Sequence, residues 1–169
     1  MKIEIGEIEK TEPRNYGYGT IKIERGLRTS QGRVKIEAPA PIHYHPVETF
    51  YHFLSGSGRL IEDDRSFEIK KGMSRTIAAK VPHFILPRKV INALIFPVLS
   101  LEEPETIFLK DEESTKKEKS RLIEEILFRK RLLLKRGMAN ENLEKWLESE
   151  RVRLENLSIE ELRELLRIY

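Results

Sequence analysis

Pro41-Ile42-His43-Tyr44-His45-Pro46-Val47-Glu48-Thr49-Phe50-Tyr51-His52-Phe53-Leu54-Ser55-Gly56-Ser57-Gly58 joins a histidine pair to an aromatic, apolar run that closes on two glycines. His43 and His45 stand at i and i+2, so on an extended strand both imidazoles leave the same face. Glu48 follows at once, with Phe50 and His52 at its parity. Thr49, Tyr51 and Phe53 share the other parity and are expected to face a cavity. The glycine pair has the chemistry of a turn. Neutral imidazole is the commonest protein ligand for zinc, iron, copper and nickel. A third histidine, His83, lies one strand pair downstream in a chain with four histidines in all.

Outward from this stretch, alternation of apolar and polar residues predicts further strands. On the amino-terminal side they fall at residues 2–9, 20–24 and 33–37. Tyr16 to Gly19 read as a loop, and Gly26 and Gln31-Gly32 as punctuation. On the carboxy-terminal side, strands are predicted near 43–45, 49–54, 58–62, 66–70, 74–79, 83–86, 91–98 and 106–109. Asp63-Asp64 and Lys71-Gly72 serve as hairpin turns, and Pro97 and Pro104 mark the exit. Short strands at this spacing are the signature of an all-β sandwich or barrel.

After Asp111 the composition changes. Proline disappears, Gly137 is the only glycine, and the apolar residues take up helical spacing. A first helix is predicted over about 115–136, with Leu122, Ile123, Ile126, Leu127, Leu133 and Leu134 as its apolar stripe and Gly137 as its C′ residue. Asn140 or Asn142 is expected to cap a second helix carrying Leu143, Trp146, Leu147, Leu154 and Leu157. Ser158 and Glu161 have the spacing of a capping box that opens a third. The first helix ends in Arg129, Lys130, Arg131, Lys135 and Arg136. Acidic residues balance the bases over 111–169, so a solvated face with cations at a helix C-terminus is the expected role, ahead of nucleic-acid contact.

The histidine segment resembles the first motif of the cupin superfamily, a His-x-His pair followed by a glutamate and a glycine. Gly72, Ala78-Ala79-Lys80 and Val81-Pro82-His83 are similar in spacing to the second cupin motif, with Gly72 and His83 in register. Several positions depart from the pattern. Thr49 stands where the family's metal-binding glutamate belongs, which leaves Glu48 at the opposite parity. Ala78 and Lys80 replace the usual proline and glycine, Pro87 replaces the asparagine, and Glu37 replaces the opening glycine. The resemblance covers roughly residues 30–98. It implies a mainly β fold, a cupin double-stranded β-helix (jelly-roll barrel), here followed by a two- to three-helix C-terminal extension. The expected division is a barrel at 1–110 and helices at 111–169 that pack on the barrel or on a second subunit.

On this resemblance His43, His45 and His83 are the expected ligands of one divalent ion (Fe, Mn, Ni, Zn or Cu), with Glu48 as a candidate fourth. Cupins with three histidines and no glutamate include dioxygenases, so oxygenase-type chemistry on a small molecule leads and isomerase activity follows. Glu48 and Tyr51 are the candidate catalytic groups, and His52 a weaker one. The alternative is a non-catalytic cupin that senses a ligand or metal while its helical tail contacts a partner.

Composition narrows the remaining classes. The 169 residues are 39% hydrophobic and 35% charged, with a formal net charge of +3, too mild a balance to require nucleic acid or an anionic membrane. No cysteine is present, which excludes disulfides, zinc ribbons and thiol catalysis. No apolar run approaches the ~20 residues of a spanning helix, and no signal-peptide core follows Met1. A cytoplasmic protein is expected, and the cupin resemblance implies a homodimer. Abundant Lys, Glu, Arg and Ile with a single glutamine, Gln31, is a thermophile's bias.

Overall fold

The computed structural model describes residues 9–10, 14–15, 19–25, 30–98 and 106–169. Residues 2–8 of the strand expected over 2–9, residues 16–18 of the loop expected over 16–19, Gly26 and Pro104 lie outside them; Gly19, expected in that loop, instead opens a strand. Among the described residues there are ten strands: β1 (Glu9–Lys10), β2 (Arg14–Asn15), β3 (Gly19–Arg25), β4 (Ser30–Ile36), β5 (His43–Tyr44), β6 (Thr49–Glu62), β7 (Arg65–Ile69), β8 (Ser74–Ile77), β9 (His83–Pro97) and β10 (Ile107–Phe108). Three helices follow: α1 (Glu112–Leu134), α2 (Asn140–Glu155) and α3 (Ile159–Ile168). Residue contacts divide the chain into two units, Met1–Leu109 and Lys110–Tyr169.

The first unit is an antiparallel sheet built on one long pairing, β6 with β9. The sequence reading expected two strands at each of these places, separated at Ser55–Ser57 and at Pro87–Val90. Instead each is a single strand, bent where the register shifts between Phe53 and Gly58. Gly56, at φ +92°, makes the bend possible: a Cβ there would lie 2.2 Å from the Val90 carbonyl oxygen. Pro87, which has no N–H to give a ladder, sits opposite Gly58 in the same irregular stretch. Gln31-Gly32, expected as punctuation, lies inside β4, with Gly32 opposite Ile95.

The bend produces two half-sheets. On the first, β8 pairs with Thr49–His52 of β6, which pairs with the second half of β9, then β4 and β3. On the second, β7 pairs with Gly58–Glu62 of β6, which pairs with the first half of β9, then β5 and β10. Tyr51, Phe53, Ile77 and Ile95 from the first share one buried cluster with Leu60, Ile69 and Ile85 from the second. The hydrogen-bonded path is not closed among the described residues. Asp63-Asp64 forms the expected hairpin turn, between the paired strands β6 and β7, with Asp63 at φ 51°. Lys71-Gly72 is a turn, with Gly72 at φ +85°, but not the expected hairpin, because β7 and β8 each pair with β6 and not with each other.

In the second unit, Asp111 opens α1 by accepting from the Ser114 N–H at 2.9 Å. Ser158 and Glu161 form the expected capping box on α3. Neither Asn140 nor Asn142 caps α2: its N-cap is Ala139, which has no side-chain acceptor. Gly137 is not in the left-handed region, because α1 ends at Lys135 with helical φ and ψ. Leu122, Ile123, Ile126 and Leu127 are buried as expected, but Leu133 is 65% exposed. The expected solvated basic face is in part an interior one. Arg129 bonds Glu125 at 3.0 Å and the Leu166 carbonyl at 3.0 Å, Lys130 pairs with Glu150, and Glu118 pairs with Arg163. These charges are buried because each has an opposite partner. No helix of the described residues is long and apolar enough to cross a membrane.

Candidate metal centre

His43 opens β5 and His83 opens β9, and the two are directly opposite in the ladder. Their rings are 4.4 Å apart between centroids. His45 joins them one residue beyond β5, with its ring 5.4 Å from that of His43 and 5.0 Å from that of His83. All three side chains are buried, and one donor nitrogen from each lies within 4.8 Å of the others. The i, i+2 spacing therefore does what alternation requires, and Tyr44 between the pair is only half-buried.

The protonation pattern suits a metal. Nδ1 of His43 lies 2.8 Å from the Pro41 carbonyl oxygen, and Nδ1 of His83 lies 2.9 Å from that of Val81. A carbonyl only accepts, so each Nδ1 carries the proton and each Nε2 keeps a free lone pair. Both contacts run back two residues, to a carbonyl in a proline-containing approach, Pro41-Ile42-His43 and Val81-Pro82-His83. Burial pushes the His43 imidazole down to about 4, against the raising effect of its backbone bond, and His45 nearby adds to the lowering. His83 is also held well below 6.5, chiefly by burial and then by the neighbouring His43 and His45. Neutral imidazole at ordinary pH is the ligand form, so the donor set fits a divalent transition metal.

Tyr51 reaches the same point from the other half-sheet. Its hydroxyl is 2.8 Å from His45 Nε2 and 3.3 Å from His83 Nε2. Because His83 Nε2 has no proton, the phenol can donate to it. Thr49 is fully buried, yet its Oγ1 is turned back onto the Val47 carbonyl at 3.0 Å. Glu48 is exposed and stands outside the cluster, as its parity requires. His52 is on that parity too, with Nδ1 2.7 Å from Ser74 Oγ.

Two charged residues beside the cluster escaped the sequence reading, Glu62 and Arg75. Glu62 pairs in register with His83, and Arg75 with Tyr51, so both point inward. Arg75 donates from Nε to Glu62 Oε2 at 2.9 Å. Parity held the signal: Arg75 alternates with the core residue Ile77, and Glu62 with Leu60.

Comparison with known proteins agrees with this architecture. Residues 32–86 match the Cupin domain family. A variant of oxalate decarboxylase from Bacillus subtilis superposes with a TM-score of 0.53 at 19% identity, over 66% of this chain and 34% of that one. A protein of unknown function from Acinetobacter superposes with a TM-score of 0.50 at 16% identity, over 56% of this chain and 98% of that one. The chain thus spans only 34% of the length of the decarboxylase, and at such identities the likeness concerns the fold. No curated protein matches the sequence.

Proposed function

We propose that His43, His45 and His83 hold one divalent transition-metal ion and that the protein, whose residues 32–86 match the Cupin domain family, performs metal-dependent chemistry on a small molecule at this site. The observation that carries the reading is the convergence of three buried imidazole donors within 4.8 Å. A bound ion supplies Lewis acidity toward a substrate oxygen and, if it is iron, manganese or copper, redox chemistry, so oxygenase-type or isomerase-type reactions fit. The Pro41 and Val81 carbonyls orient two of the rings by accepting from their Nδ1–H groups. Tyr51 holds the proton at its hydroxyl, within reach of two of the ring nitrogens, and is the residue placed to give a hydrogen bond to a ligand. Tyr51 itself belongs to the buried apolar cluster that contains Phe53 and Ile95.

One observation favours a second reading. Tyr51 and Phe53 are both buried, and Tyr51 fills the space between two imidazoles. Such packing suits a non-catalytic cupin that senses a ligand or metal while its helices make protein contacts. Water-proton relaxation of the Mn(II)-loaded protein separates the two: an exchangeable metal-bound water supports the enzyme, and its absence supports the sensor.

The primary test is elemental analysis of the untagged protein. About one equivalent of transition metal per chain is expected, lost in His43→Ala and in His83→Ala with far-UV circular dichroism retained. Metal that stays bound in both variants refutes the site.

A further inference from the structure

Two bridges cross between the half-sheets side by side. Tyr51 to His83 is the first; Arg75 to Glu62 is the second. Within each half-sheet their ends are cross-strand neighbours, Tyr51 opposite Arg75 and His83 opposite Glu62. The four residues close a ring about one strand spacing wide, roughly 4.8 Å. Imidazoles occupy one side of it and a guanidinium the other.

Arg75 is held rigidly. Its Nε and Nη2 lie 2.9 and 2.7 Å from Glu62 Oε2, and its guanidinium carbon sits 3.5 Å from the centroid of the Phe67 ring. The hydrogen bonds and ion pair that Arg75 makes among the described residues use Nε and Nη2, and the side chain is 28% exposed. Arg65 approaches the other Glu62 oxygen at 3.8 Å, so two guanidinium groups face one carboxylate and positive charge is left over. The guanidinium thus keeps donor capacity beyond its contacts with Glu62, the residue that lies opposite His83 in the ladder.

We propose that Arg75 binds a carboxylate of the small molecule taken by the three-histidine centre, which makes the substrates small organic acids. The inference rests on the metal-centred reading and names the substrate class of that same site. A planar guanidinium matches a carboxylate through two parallel N–H donors. One pinned in advance by Glu62 and Phe67 loses little freedom on binding. A second polar group on the acid then lies within reach of the imidazole side of the ring.

The test titrates the Co(II)-loaded protein with malonate and with its neutral counterpart malonamide, by calorimetry and by the visible cobalt spectrum. Malonate is expected to bind the wild type more tightly than malonamide. Arg75→Gln should weaken malonate by about 10- to 100-fold, the range of a hydrogen bond to a charged group, with malonamide nearly unchanged. Glu62→Gln keeps an amide oxygen to hold the guanidinium in place and removes the competing negative charge, so malonate should bind at least as tightly as in the wild type. If Arg75→Gln fails to fold with Glu62 left unpaired, the double variant Glu62→Gln/Arg75→Gln serves instead, and should lose malonate relative to Glu62→Gln alone. Equal malonate affinity with and without Arg75, or loss of malonate in Glu62→Gln, overturns the proposal. Cobalt content keeps the two readings apart. Arg75-dependent malonate binding without bound cobalt sinks the metal centre and sustains the anion site; bound cobalt with no Arg75 effect does the reverse.

Discussion

Gly56 and Gly72 share a backbone conformation but not a setting, and the pair gives a controlled measure of the β6–β9 bend. Their φ angles are +92° and +85°. A side chain at either is strained by about 1–2 kcal/mol, the cost of the left-handed region for an L-residue. The surroundings differ. A Cβ at Gly72 meets nothing within 4 Å, whereas one at Gly56 lies 2.2 Å from the Val90 oxygen and 2.7 Å from the Ile91 Cα. Both obstacles are backbone, so β9 itself must move, and overpacking of this kind adds about 1–3 kcal/mol. Gly72→Ala should therefore cost about 1–2 kcal/mol and Gly56→Ala about 2–5 kcal/mol. Guanidinium unfolding should be followed by far-UV circular dichroism, because Trp146, the only tryptophan, lies in α2 and reports the helical unit. Gly56 separates Tyr51 from Glu62 along β6, so its replacement should also weaken metal binding, which Gly72→Ala should leave intact. Equal destabilisation by the two substitutions would refute the close approach of β6 and β9.

Three further outcomes are expected. Lys80 holds φ 63° at the position where the resembled motif has glycine, and its N–H bonds the His45 carbonyl at 2.8 Å; Lys80→Gly should raise stability by about 1 kcal/mol in the same unfolding assay, and a loss would contradict the strain. In metal-free protein, His43 titrates near 4 and His83 well below 6.5, so both stay neutral while the unfolded chain takes up protons. Their contribution is whole above pH 6.5 and shrinks as pH falls from 6.5 toward 4, by on the order of 3 kcal/mol for His43; unfolding midpoints that do not change over that window would count against their burial. Deleting residues 112–169 should change the oligomeric state seen by light scattering if the helices join subunits, and an unchanged soluble assembly would remove that role.

Much of the local structure is legible in the chain. The His-x-His spacing carries its own geometry, since alternation sends both rings to one face without help from the rest of the protein. Asp63-Asp64 and Lys71-Gly72 mark their turns by backbone preference, though only the first closes a hairpin, and Ser158 finds Glu161 three residues away. The loss of proline after Asp111 marks where strands give way to helices.

The sequence did not reveal what depends on partners far along it. Gly56 reads as a turn because its conformational freedom is local, but the strand it bends is decided by the Val90 backbone packed against it. Arg129 and Lys130 read as solvated cations until Leu166 and Glu150 are brought beside them. Tyr51 meets His83 across 32 positions of chain, and Arg75 meets Glu62 across 13. Alternation along a strand decides which residues face inward; which of those meet across the interior depends on the bend that lays one half-sheet against the other.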